Sequence, residues 1–201
     1  MLKAIAEFRR KLKSGQICVG SSVTYTDPLV SDTLADSVDF LWIDLEHALM
    51  SAEALAGHLL AARSRRIPAI VRVTAGGTPF VKPVLDAGAE GIIVPQIRTV
   101  DEVRSVIADC KYPPVGQRGY GPRVPSNYGR DGGRDYIERA NANIFVSVQV
   151  ETREALDCLD EILTVPGLDS IVLGPCDLSG ALGRLGDVKH PEVISTIEMI
   201  V

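Results

Sequence analysis

At 201 residues and 46% hydrophobic, the chain is long and apolar enough to bury a full core as one domain spanning 1–201. Aromatics are only 5% while small and branched aliphatic residues abound, which suits parallel strands packed between helices. A net charge of -5 with no basic stripe argues against a nucleic-acid or anionic-membrane partner, and no apolar run approaches the ~20 residues of a membrane span.

The N-terminal segment MLKAIAEFRRKLKSG has no secretory apolar core and predicts an amphipathic helix closed by Gly15. Strands are expected at 17–23, 40–45, 69–73, 91–97, 144–151 and 170–175, with a weaker one at 114–119. Helical patterns lie between them. Ser51 can cap a helix reaching about Arg65, Thr99 and Glu102 form a T-x-x-E capping box, Thr152 can cap REALDCLDEIL, and Pro191 suits a first helical position. The run from Tyr112 to Asp135 is the one long irregular insertion, a length usually reserved for function or disorder. Cys18, Cys110, Cys158 and Cys176 are widely spaced with no CxxC pair, which reads as reduced, mostly buried thiols in a cytoplasmic protein.

Strand–helix alternation with near-continuous apolar strands implies a parallel sheet covered on both faces. Neither GxGxxG nor GxxxxGK[ST] follows the first strand, so a nucleotide-binding open sheet lacks its usual signature. A (β/α)8 TIM barrel explains more, because polar residues gather at the C-terminal ends of several strands. Six or seven strands are counted where eight are needed, so the barrel is expected to lack its last β/α unit and to be incomplete at the C-terminus. Such a barrel would leave two strand edges bare, and the isolated chain would fold poorly unless a partner subunit covered the gap.

The strand ends supply Asp44, Glu46 and His47 from FLWIDLEHA, Arg72 from AIVRV, Gln149 and Glu151 from VSVQVET, and Asp177 from LGPCDLS. Glu151 and Asp177 are 26 residues apart, about one β/α unit, so two oxygen donors on rigid elements can meet around Mg²⁺ or a similar ion. Each can equally cap the helix after its strand. Arg72, in an otherwise apolar strand, needs an anion, either a substrate carboxylate or a structural partner such as Glu46. His47 beside two carboxylates fits a general base, although a surface histidine after a strand is common. No lysine ends a core strand, so a Schiff-base mechanism lacks its nucleophile, and no G-x-S-x-G elbow is present.

DFLWIDLEHA, the Arg of IVRV, VLDAGAEGIIVPQIRTVDEV, YPPVGQRGYGP, VSVQVETREAL and LGPCDLSGALG together resemble the HpcH/HpaI aldolase/citrate lyase family, class II pyruvate aldolases of the phosphoenolpyruvate/pyruvate barrel superfamily. The paired Q-x-E-T and G-P-x-D-L-S signatures are its most specific part. The resemblance implies reversible cleavage of a 4-hydroxy-2-oxo acid into pyruvate and an aldehyde through a pyruvate enolate. It implies Glu151 and Asp177 as ligands of Mg²⁺, Mn²⁺ or Co²⁺, with no organic cofactor. His47 would be the base with Asp44 as its carboxylate partner, Arg72 would steady the enolate oxygen, and Gln149, Gly174, Pro175 and Cys176 would line the pyruvate pocket. A homo-oligomer, commonly a hexamer, goes with it. Three departures are visible: CVGSSVTY lacks a common Trp, Val73 stands where Pro often follows the arginine, and Cys176 replaces a common Ala. The loop at 112–135, Arg123 included, bears on which aldehyde is accepted. Alternatives within the superfamily are lyases or decarboxylases of oxaloacetate-like acids and acyl-CoA lyases of the citryl or malyl type; outside it, a barrel with an inactive site.

Overall fold

The structure, a computed structural model, describes residues 2–201. Six strands, β1 (Gly20–Val23), β2 (Phe40–Asp44), β3 (Ala69–Arg72), β4 (Gly91–Val94), β5 (Phe145–Val150) and β6 (Ser170–Leu173), pair all-parallel in sequence order. Helices α2 (Leu29–Leu34), α3 (Ala52–Arg65), α4 (Thr78–Ala87), α5 (Val100–Cys110), α6 (Arg134–Asn143), α7 (Arg153–Asp157) and α8 (Leu159–Leu163) fall between successive strands, and α9 (Pro175–Ala181) and α10 (Pro191–Ile200) follow β6. The result is an α/β fold with a six-stranded parallel half-barrel. Eight-stranded closure is not seen among the described residues, where β1 and β6 are the sheet edges. Burial follows position: β4 and β5 are buried throughout, whereas the edge strands are partly exposed.

Register sets up the site. Asp44 pairs with Arg72, Arg72 with Ile93, and Ile93 with Ser147, so these side chains share the inner face of the half-barrel. Leu41, Ile43 and Val71 alternate to the outer face, where they are fully buried with the helical residues Leu55, Leu59 and Val81. Burying each such side chain contributes roughly 1.5–3 kcal/mol. Helix α1 (Lys3–Lys13) packs at the other end of the strands. Its Phe8 ring lies 5.2 Å from Phe40 and 5.5 Å from Phe145, and Lys11 holds Asp39 at 2.6 Å. Gly15 follows α1 with φ of 76°, as expected of the closing residue.

The caps read from sequence form. Ser51 Oγ accepts from the Ala54 N–H at 3.2 Å, and Thr99 and Glu102 make the reciprocal capping box. Three expectations need correction. The cysteines are not mostly buried: Cys110 is buried, Cys18 and Cys158 are half-buried and Cys176 is exposed. The weaker strand at 114–119 does not form: the Gln117 and Arg118 N–H groups donate to the carbonyls of Ala108 and Lys111, folding the segment back on the end of α5. Gly116 makes that approach possible, since a Cβ there would lie 2.4 Å from the Lys111 carbonyl oxygen. The helix after Thr152 breaks at Cys158 into α7 and α8. The insertion has no helix or strand before Arg134, yet it is packed: Arg118 is fully buried, paired with Asp86 at 2.6 Å and stacked 4.5 Å from the Tyr112 ring centroid.

Glu90, just before β4, is 9% exposed and accepts the Leu2 N–H at 2.8 Å. Burial raises its carboxyl to about 6 from 4.5. A carboxyl whose folded pKa lies above its unfolded one favours the fold when protonated, so stability is greatest below pH 4.5 and is lost as pH rises through 6. The loss amounts to about 2 kcal/mol. Glu90→Gln is therefore expected to be more stable than the parent at pH 7.5 and no more stable at pH 4, measured by urea melts. Equal gains at both values would contradict the assignment.

Candidate active site

The C-terminal ends of β2 to β6 carry the polar residues, and hydrogen bonds link those of β2 to β5 into one centre. Arg72 is its hub. Its Nε donates to Asp44 Oδ1 at 2.9 Å and its Nη2 to Asp44 Oδ2 at 2.6 Å, a two-pronged pair in which Asp44 is 2% exposed. Nη1 lies 2.9 Å from Glu46 Oε2 and 3.4 Å from Gln149 Oε1. Both carboxylates named beside it in the sequence thus converge on one guanidinium. Burial alone would raise the Asp44 carboxyl, but the Arg72 fork and the backbone N–H groups of Glu46 and His47 outweigh it and hold it below the ordinary range. Glu46 behaves oppositely: burial raises it despite Arg72 and His47 nearby.

His47 sits at the rim with its side chain 63% exposed. The structure brings its ring to Glu46, 3.7 Å from Nε2 to Oε2, and not to Asp44, which takes only its backbone N–H at 3.4 Å. The Asp44 carboxylate serves Arg72 instead.

Glu151 is 1% exposed at the end of β5. Its Oε1 accepts from both the backbone and the side-chain nitrogen of Gln96, at 3.0 and 3.1 Å, and its Oε2 accepts from Gln149 Nε2. Burial raises its carboxyl; the Gln96 and Gln149 donors counter this, and the negative charge of Asp177 adds to it. Neither Glu151 nor Asp177 caps a helix. Thr152 Oγ1 takes that role for α7, accepting from Ala155 N–H at 3.1 Å, and α9 has no side-chain cap. Asp177, in the first turn of α9, has no hydrogen-bond or ion-pair partner among the described residues. Gly174 is buried where the chain turns into α9; a Cβ there would lie 2.1 Å from Glu151 Oε2 and 2.6 Å from Gln149 Nε2, so only glycine lets both side chains occupy this place. Pro175 and Cys176 beside it are exposed.

Gln96 was not singled out in the sequence. It is the polar residue that interrupts GIIVPQI, but its role depends on a left-handed φ of 56° that turns backbone N–H and side chain together onto Glu151. His58 and His190 have local duties: His58 is fully buried between Ser31 Oγ and the Tyr25 carbonyl, and His190 caps α10.

No three His, Cys, Asp or Glu side chains converge as a ready-made metal cluster among the described residues. Two carboxylates from adjacent elements, one raised chiefly by burial and further by the charge of the other, nevertheless suit a hard divalent cation, which would relieve their repulsion. No helix among the described residues is long and apolar enough to cross a membrane.

Comparison with known proteins places this geometry. The family model HpcH/HpaI aldolase/citrate lyase matches residues 24–201. Hydroxypyruvate/pyruvate aldolase of Roseovarius nubinhibens is 36% identical over 192 residues, covering 95% of this chain and 75% of that protein. 2-Keto-3-deoxy-L-rhamnonate aldolase of Escherichia coli O157:H7 is 37% identical over 194 residues, covering 95% of this chain and 72% of that one. The crystal structure of a protein of the same family from Burkholderia cenocepacia J2315 superposes with a TM-score of 0.88 at 32% identity, over 96% of this chain and 78% of that chain. The chain therefore belongs to the HpcH/HpaI aldolase/citrate lyase family and is a carbon–carbon lyase.

Proposed function

We propose that the chain is a class II aldolase that reversibly cleaves a 4-hydroxy-2-oxo acid into pyruvate and an aldehyde. The observation that carries the reading is the Arg72 centre: a guanidinium locked by Asp44 and Glu46, next to Gln149 and one hydrogen bond from the Glu151 carboxylate. The aldolase names of relatives that align over 95% of this chain support it.

Glu151 and Asp177 would hold a divalent ion, such as Mg²⁺, Mn²⁺ or Co²⁺, since both acids are free of capping duties and Gly174 gives the Glu151 carboxylate its space. When bound, the ion polarises the keto group and offsets charge on the enolate. In cleavage His47 takes the C4 hydroxyl proton as the C4–O bond becomes a carbonyl. The C3–C4 bond breaks and its electron pair passes to the C2 oxygen, where Arg72 stabilises the developing negative charge. Protonation of the enolate at C3 gives pyruvate. Addition reverses each step. His47 lies at the open rim, where an aldehyde would arrive, while Arg72 is 11% exposed and fixed deeper in the centre.

Incubation with pyruvate, Mg²⁺ and a panel of aldehydes, followed by mass spectrometry, is the test. The expected products are 4-hydroxy-2-oxo acids heavier than each aldehyde by one pyruvate, lost when EDTA is added. Release of carbon dioxide from oxaloacetate without aldol products from any aldehyde would replace the reading with a decarboxylase.

A further inference from the structure

We infer that Trp42 is a positioning residue for Arg72, its indole face fixing the tilt of the guanidinium plane above it. The inference deepens the pyruvate-enolate reading and rests on it. Trp42 precedes Asp44 by two residues on β2 and pairs in register with Ile70, itself two before Arg72. It therefore lies one layer below the Asp44–Arg72 pair on the same inner face. The Arg72 Cζ sits 5.4 Å from the ring centroid, inside the range of a cation–π contact, for which tryptophan is the strongest partner.

The other contacts of Arg72 leave one motion open. Asp44 and Gln149 accept hydrogen bonds from the guanidinium nitrogens, whose N–H bonds lie in the plane of the group, while Glu46 Oε2 lies 2.9 Å from Nη1 as an ion pair without hydrogen-bond geometry. Bonds of that kind fix where the edge of the plane points and resist rocking about that edge weakly. The Trp42 ring beneath the guanidinium carbon resists it, so Nη1 keeps its aim toward Gln149 and the enolate oxygen.

Volume filling does not account for this choice of side chain. Trp42 Nε1 is buried with no hydrogen-bond partner among the described residues, a cost that phenylalanine or leucine would not carry. With its N–H orphaned, the indole has its face to offer Arg72.

Trp42 is the only tryptophan in the sequence, so its emission reports on this contact alone. The test uses the full chain with Mg²⁺, titrated with oxalate as a planar dianion resembling the enolate of pyruvate. Oxalate binding is followed by calorimetry and tryptophan emission, and pyruvate methyl exchange is measured for the parent, Trp42→Phe and Trp42→Leu. Oxalate is expected to change the emission saturably, tracking the calorimetric isotherm. Trp42→Phe is expected to lower kcat for exchange about fivefold, with Trp42→Leu lower still and KM little changed. Thermal stability should not follow that order, with Trp42→Phe as stable as the parent or more so. Unchanged kcat in both variants would overturn the inference while leaving the enolate reading in place. So would kcat losses that simply track lost stability, or oxalate heat without an emission change. Absence of both oxalate binding and exchange from the folded parent would remove the enolate reading and this inference with it.

Discussion

Arg72→Lys is expected to cut kcat/KM for aldol cleavage by about 10²–10³-fold, the cost of losing one donor set aimed at a developing oxyanion. The charge survives the substitution but the geometry does not. Arg72 reaches both Asp44 oxygens through separate nitrogens and still presents Nη1 to Glu46 and Gln149. A single ammonium cannot serve three acceptors in fixed directions, so lysine would follow Asp44 and abandon the rest. Steady-state kinetics should show the loss in kcat, with folding intact by circular dichroism. Arg72→Ala is a harsher change. It leaves Asp44, 2% exposed, without its counter-charge, at a cost of about 3–5 kcal/mol of stability. Comparing the two separates catalytic loss from unfolding. Lysine retaining full activity would mean that Arg72 is a structural partner of Asp44 and nothing more.

Glu151→Gln is expected to abolish divalent-ion binding and lower activity by about 10³-fold or more, several kcal/mol of lost charge stabilisation. The amide is nearly isosteric and its oxygen can still accept from Gln96, so the local fold should persist. Because burial and Asp177 already disfavour the Glu151 carboxylate, removing its charge should leave stability in EDTA unchanged or slightly raised. A core residue without a metal role would behave differently, with activity falling only as far as stability does. Calorimetric titration with Mn²⁺, melts in EDTA and cleavage rates on the same samples make the comparison. Intact aldolase activity in Glu151→Gln would contradict the metal assignment outright.

What the sequence disclosed and what it hid divide along physical lines. Strands such as GIIV and FVSVQV were legible because both faces are buried and the apolar run is unbroken. The capping box at Thr99 and the Ser51 cap were legible because they are local hydrogen-bond patterns. Helix α4 was covered only by the general expectation of helices between strands, with Pro79 and Pro83 interrupting its pattern although the helix tolerates both. The apparent strand at 114–119 misled because Val115 and its neighbours look extended, whereas their N–H groups turn back onto the carbonyls of Tyr112, Ala108 and Lys111, at and just beyond the end of α5.

In the site, strand ends marked Asp44, His47, Arg72, Glu151 and Asp177, since charge at the end of an apolar strand stands out. Partnerships were harder. That Asp44 turns to Arg72 while His47 faces Glu46 depends on cross-strand register, which β2 and β3 do not disclose separately. Gln96 acts through an unusual φ, and Gly174 through a close approach, neither of which leaves a periodic trace.

The central claim is that this centre forms a pyruvate enolate with a divalent ion. Its most direct test is proton NMR of pyruvate incubated with the protein in D₂O, first with Mg²⁺ or Mn²⁺ and then with excess EDTA. The methyl signal is expected to decay by deuterium exchange with the metal present and to persist once it is chelated, whichever aldehyde is the partner. A folded, metal-loaded sample that leaves the methyl protons untouched would contradict the account.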